Sequence, residues 1–289
     1  MGTTVKWLGK AIQGLRSFAY EQGGERPRVG LALGGGFARG IAHIGVLRAL
    51  EEHEVPVEFI AGTSVGALIA SAYASGCTLD FMAEQGSRTR FSDFGRWRLS
   101  RRGMASNERL EDFLHRFTPL KFFEEMKIPL CIVAVDILTG ESVHFRQGEI
   151  GPALRASCAY PGLFIPIEYE GRCLVDGFLT ETVPSPAARE MGADIVISVH
   201  LEPGLLKTSP RNSIEVISRS FSIIQTRSSE GWRNETDVLI EPNVHHVMWD
   251  EFVKTPELIE AGHRATLEVM PKIKSLLAGK PGALREARG

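Results

Sequence analysis

Short continuous apolar runs alternate along this chain with longer stretches in which apolar positions recur every three to four residues. The runs at 29–33, 59–62, 129–137, 194–201 and 237–241 predict strands, and 165–175 reads as a hairpin. Helical spacing predicts helices near 38–53, 65–75, 150–158, 213–230 and 256–277. Such alternation predicts an α/β protein with three α/β/α layers, in which helices cover both faces of a mainly parallel central sheet. No internal repeat is visible.

The ends of the chain read differently. Val5, Leu8, Ile12, Leu15 and Phe18 recur at helical spacing, with Trp7 nearby and Lys6, Lys10 and Arg16 as the only charges. That pattern suits either a basic amphipathic helix on an anionic membrane surface or a helix packed on its own domain. Residues 1–26 are therefore set apart as an N-terminal extension, 27–277 as the folded unit, and 278–289, which mix Gly, Pro, Lys and Arg without apolar period, as a loose tail. Between Arg88 and Arg102 six arginines are interleaved with Phe91, Phe94 and Trp97. This segment is expected to be a lid or docking rim for phosphate-bearing surfaces, or else a solvated basic loop.

Composition narrows the class. With 289 residues, 43% hydrophobic, and a formal net charge of −2, the chain can bury one large core and has no uniform field suited to nucleic acid. Cys77, Cys131, Cys158 and Cys173 show no C-x-x-C spacing and sit mostly in apolar runs, so buried thiols in a reducing compartment are expected and zinc is not. No apolar stretch reaches the roughly 18–20 residues that span a bilayer, and the N-terminus lacks a signal-peptide core. A cytoplasmic protein with peripheral membrane contact is expected.

Three segments carry chemistry. Gly62-Thr63-Ser64-Val65-Gly66 follows an apolar run and precedes a helix, the context of a nucleophile elbow, where a Cβ at either flanking glycine would clash in the tight turn. Gly34-Gly35-Gly36-Phe37-Ala38-Arg39-Gly40 links a buried strand to a helix, and its clustered N–H groups beside a helix N-terminus suit an anion. A P-loop would need a lysine where Gly36 stands, and a dinucleotide fingerprint would need a third glycine where Arg39 stands. An oxyanion hole or a plain structural turn remains. Leu174-Val175-Asp176-Gly177-Phe178 ends an apolar stretch in an acid, either a base for a nearby hydroxyl or a turn cap.

In this order the three segments resemble the patatin-like phospholipases, which combine a G-G-G-x-x-R-G loop, a G-x-S-x-G serine and a D-G-G or D-G-A aspartate. The run from Arg155 through Tyr160-Pro161-Gly162 to Pro166 is similar to that family's proline-bearing block, and the resemblance covers about residues 28–201. It implies a patatin-like fold, with Ser64 as nucleophile and Asp176 as its direct base, a dyad without histidine. Gly62 and Gly66 would form the elbow. Gly34, Gly35, Gly36 and Phe37 would form the oxyanion hole, braced by Arg39. Phe178 departs from the pattern, since a small residue is usual there, and is expected to narrow the pocket or alter loop mobility.

The implied activity is hydrolysis of phospholipids or other lipid esters, of the phospholipase A or lysophospholipase type, with no metal or organic cofactor required. Two alternatives come from other classes: a lipid-binding or regulatory protein on the same fold, and a soluble short-chain carboxylesterase. A Ser-His-Asp arrangement also remains open by chain order, since His200, His245, His246 and His263 all follow Asp176, with His200 the best placed.

Overall fold

The computed structural model describes residues 26–98, 100–202, 209–210, 213–227, 230–248 and 250–279. The amphipathic helix expected within 5–19 and most of the expected tail lie outside these residues.

Among the described residues the strands are β1 (Val29–Leu33), β2 (Phe59–Thr63), β3 (Arg96–Trp97), β4 (Ala105–Ser106), β5 (Leu130–Asp136), β6 (Ser142–Phe145), β7 (Ile167–Tyr169), β8 (Arg172–Asp176), β9 (Ile195–Val199) and β10 (Val238–Ile240). Helices are α1 (Ala42–Glu52), α2 (Val65–Ala74), α3 (Leu79–Arg88), α4 (Phe91–Phe94), α5 (Arg109–Leu114), α6 (Ile150–Ser157), α7 (Ser185–Glu190), α8 (Ser213–Arg227), α9 (Glu230–Asn234) and α10 (Thr255–Leu277). One sheet runs β10-β9-β1-β2-β5-β8-β7, with β6 also paired to β5. β10, β9, β1, β2 and β5 are parallel, while β6, β7 and β8 add antiparallel pairs. The mainly parallel α/β architecture expected from the apolar runs is the one observed.

Strand alternation sorts the core onto two faces. Leu31, Leu33, Ile60, Ile132 and Ile197 enter the larger cluster, shared with α1, α2 and α10. Ala32, Ala61, Cys131 and Val196 meet Ala187 and Ala188 of α7 and Trp232 on the opposite face. Small residues on this second face let α7 approach the sheet closely. On the first face α1 and α10 cross in backbone contact: a Cβ on Gly45 would stand 1.8 Å from the Ile259 carbonyl oxygen, and one on Gly262 1.9 Å from that of Ala42.

β5 explains how distant parts of the chain meet. Its residues 130–133 pair with β2 and 134–136 with β8, while 132–135 pair with β6. Because β6 overlaps both, β2 and β8 must share the other edge, running toward each other and ending at Val133 and Ala134. The residues that follow β2 and end β8 are therefore brought face to face.

Several expected boundaries shift. The helix expected at 38–53 begins as a 3-10 turn, Phe37–Ile41, before α1, and the one expected at 213–230 is α8 followed by α9. The arginine-rich segment is not a plain loop but α4 and the β3–β4 ribbon. Arg88 pairs with Glu84, Arg98 with Glu108 and Arg102 with Glu168. Among the described residues no helix is long and apolar enough to cross a membrane.

Candidate active site

Ser64 sits between β2 and α2 with φ +57° and ψ −127°, a left-handed backbone conformation that non-glycine residues rarely adopt. The turn holds because its neighbours are pressed together. A Cβ on Gly62 would lie 2.4 Å from Ala67 Cα, and one on Gly66 2.1 Å from the Leu33 carbonyl oxygen. The Ser64 N–H donates to Ser157 Oγ at 2.9 Å, tying the elbow to the end of α6.

Ser64 Oγ donates to Asp176 Oδ2 at 2.8 Å. Asp176 ends β8, is fully buried, and accepts the Phe178 N–H at 3.1 Å on its other oxygen. Burial raises its carboxyl from 3.8 to about 7, opposed by the hydrogen bonds from Ser64 and Phe178. Two neighbouring contacts fix the aspartate turn against β2 and β5. Thr63 Oγ1 donates to the Glu181 carbonyl at 3.0 Å, and a Cβ on Gly177 would stand 2.4 Å from the Val133 oxygen.

The glycine loop lies over Ser64: a Cβ on Gly35 would be 3.3 Å from Ser64 Cβ. Gly34 N–H is engaged with the Val199 oxygen at 3.0 Å, so this glycine anchors the loop to β9 instead of offering a donor. Gly35 N–H makes a longer contact, 3.3 Å, to the Thr182 oxygen, and no acceptor among the described residues takes the Gly36 N–H. Phe37 has φ +52°. Arg39 spans the loop, with Nε donating to the Gly36 oxygen and Nη1 to the Glu202 oxygen, each at 3.2 Å. Beneath it His43 is fully buried, with Nε2 2.8 Å from the Gly34 oxygen. Burial lowers His43 to about 4, so the neutral ring donates from Nε2.

Two cavities meet at Ser64 and Phe37. One, of about 90 Å³, is walled by Ile44, Leu68, Met82, Leu110, Phe113, Phe117 and similar apolar side chains. The other, of about 200 Å³, is bounded by Gly35, Gly36, Arg39, Tyr160, Asp176 and Phe178, with Trp97, Ser218, Arg219 and His245 further out. Phe178, the departure from the family pattern, is buried and stacks on Tyr160 with ring centres 4.9 Å apart.

The histidine alternative finds no geometric support. His200 Nδ1 lies 3.2 Å from Glu241 Oε1, and its ring packs 5.2 Å from Trp232. His246 pairs with Glu257 and His263 with Glu52, while His245 only borders the larger cavity. Sequence reasoning assigned no role to Ser157, Cys158 or His43. Cys158 is half-buried beside Ser64, and desolvation pushes its thiol well above the usual range. Their one sequence signal is that Ser157 and Cys158 fall inside the proline-bearing block; His43 has none.

This geometry can be set beside known proteins. The sequence profile described as patatin-like phospholipase matches residues 31–189, more than half of the chain. The chain belongs to the patatin-like phospholipase family. It is 37% identical over 185 residues to an "Uncharacterized NTE family protein" of Mycobacterium tuberculosis (strain ATCC 25618 / H37Rv), covering 62% of this chain and 51% of that protein. It is 32% identical over 188 residues to "Patatin-like phospholipase domain-containing protein 6" of Mus musculus, covering 59% of this chain and 13% of that one. The patatin-like chain thus spans about half the length of the first relative and a small part of the second. The crystal structure of VipD from Legionella pneumophila is similar at 14% identity and TM-score 0.48, over 86% of this chain and 67% of that one.

Proposed function

We propose that residues 27–277 form a serine acyl hydrolase acting on lipid esters, of the phospholipase A or lysophospholipase type. The observation that carries this reading is the 2.8 Å hydrogen bond from Ser64 to a buried carboxyl held near neutrality, at the junction of an apolar cavity and a larger one that mixes apolar with polar and charged side chains. A carboxylate near neutrality is basic enough to take a hydroxyl proton and acidic enough to return it.

Asp176 takes the Ser64 proton as Oγ attacks the ester carbonyl. The resulting oxyanion is stabilised by N–H groups of the loop at Gly35, Gly36 and Phe37. Removing one such donor costs about 3–4 kcal/mol in other hydrolases. Protonated Asp176 then gives its proton to the departing alcohol, leaving an acyl ester on Ser64. Water, deprotonated by Asp176, releases the fatty acid and restores the hydroxyl. Arg39 holds the loop in place. The smaller, apolar cavity takes the acyl chain and the larger, mixed one the leaving group, and the substrate is met at an anionic membrane surface on the cytoplasmic side.

The test is fluorophosphonate labelling together with hydrolysis of a fluorogenic phospholipid by wild type, Ser64→Ala and Asp176→Asn. Loss of both signals in each variant supports the dyad. A fully active Asp176→Asn overturns it, and a folded wild type that neither labels nor turns over supports a regulatory lipid-binding protein instead.

A further inference from the structure

α8 is amphipathic the wrong way round for a helix that only closes a core. Its inner side covers the reacting groups: Phe221 packs edge-on against Phe178 at 5.2 Å and Tyr160 at 5.9 Å, and Ser218 and Ser222 line the cavity that holds Ser64. The outer side carries Val216, Ile217, Ile223 and Ile224, which are 48%, 37%, 48% and 56% exposed. These positions lie two turns apart and form one stripe. Contiguous exposed apolar side chains beside a cavity mouth mark a docking surface.

The chemistry of the neighbouring rim selects the partner. Trp97 lines the same cavity and is 63% exposed. It stands in the β3–β4 ribbon between charges: Arg98 and Arg102 have acidic partners, whereas Arg96 and Arg101 are exposed and have no ion pair among the described residues. An apolar stripe, an exposed indole at the cavity mouth and unpaired guanidinium groups in the same ribbon complement a surface with anionic headgroups and an acyl interior. We propose that the outer face of α8, with Trp97, Arg96 and Arg101, is the surface by which this protein seats its cavity mouth on an anionic phospholipid bilayer. This rests on the reading that Ser64 acts on lipid. It gives Phe178 a role, because the residue whose N–H holds Asp176 also carries the ring on which α8 rests.

Flotation of the full chain with vesicles of phosphatidylcholine, with or without phosphatidylglycerol, tests the surface, and the Ser64→Ala background reads binding without turnover. The expected result is binding to the anionic vesicles, weakened about tenfold or more by Ile223→Ser with Ile224→Ser. Arg96→Glu with Arg101→Glu should abolish the preference for phosphatidylglycerol and its salt sensitivity. On an intact Ser64, both pairs should leave hydrolysis of a water-soluble short-chain ester within about twofold of wild type. Undiminished vesicle binding in both pairs overturns the proposal. So does a wild-type dimer in sedimentation equilibrium that the isoleucine pair dissolves, since a second copy would then cover the stripe. Vesicle binding that responds as expected in a chain without lipid hydrolysis keeps the docking surface and removes the hydrolase reading.

Discussion

Burial of the Asp176 carboxyl has two opposite consequences. The carboxyl is raised from 3.8 to about 7 by burial. The proposed reaction needs the ionised form, so kcat/KM for a soluble ester should climb as pH rises through about 7 and level off above it, read as a pH–rate profile. Folding favours the protonated form. That stabilising contribution is complete below 3.8, is lost as pH rises to about 7, and stays lost above it. Asp176→Asn, unable to ionise, should therefore be inactive yet melt higher than wild type at pH 8, with the gap shrinking on acidification toward pH 4; each pH unit of this window is worth about 1.4 kcal/mol. Melting curves at pH 5 and pH 8 check it. Ser64 and Asp176 were legible as motif residues because glycines at fixed offsets record the tight turns around them. Ser157 and His43 were not, since each acts through an atom that only the folded chain brings near: Ser157 Oγ meets an N–H 93 positions away.

At the scale of elements, legibility followed burial. β1, β2, β5 and β9, buried along nearly their whole length, left continuous apolar runs in the sequence. The short β6 alternates exposed and buried positions and α7 has only six residues, so neither produced a pattern long enough to read. The end-to-end meeting of β2 and β8 along β5 left no local trace, although it creates the site. Glycines inside helices had no readable meaning either, and the structure divides them. Gly262→Ala in α10 gains about 1 kcal/mol of helix propensity, but its Cβ would meet the Ala42 oxygen at 1.9 Å, forcing α1 and α10 apart. It should lose more than about 2 kcal/mol net. Gly86→Ala in α3 meets the side chains of Ile41 at 3.7 Å and Thr255 at 3.9 Å, both ordinary contacts, so it should be neutral or stabilising by up to about 1 kcal/mol. Urea unfolding of the two variants side by side measures the contrast.

Across the whole molecule, the sheet delivers Ser64 to the boundary between two compartments of different polarity, and the proposed reaction divides its substrate there. In this reading an ester whose carbonyl sits at Ser64 lays its acyl chain among the aliphatic and aromatic side chains of the smaller cavity, while the alcohol side faces Arg39 and the α8 rim. Chain-length preference should then depend on the apolar compartment alone. Gly86 lines that compartment, and it has space for a first carbon, so Gly86→Leu projects a branched side chain into the acyl path without displacing backbone. Across a series of soluble and dispersed esters from four to sixteen acyl carbons, the variant should keep short-chain kcat/KM within about twofold. It should lose about tenfold or more on the longest chains, as expected when several methylenes, at about 0.8 kcal/mol each, are refused burial. A uniform loss at every length would instead mean that the acyl chain leaves Ser64 through the larger cavity, and the assignment of the two compartments would have to be reversed.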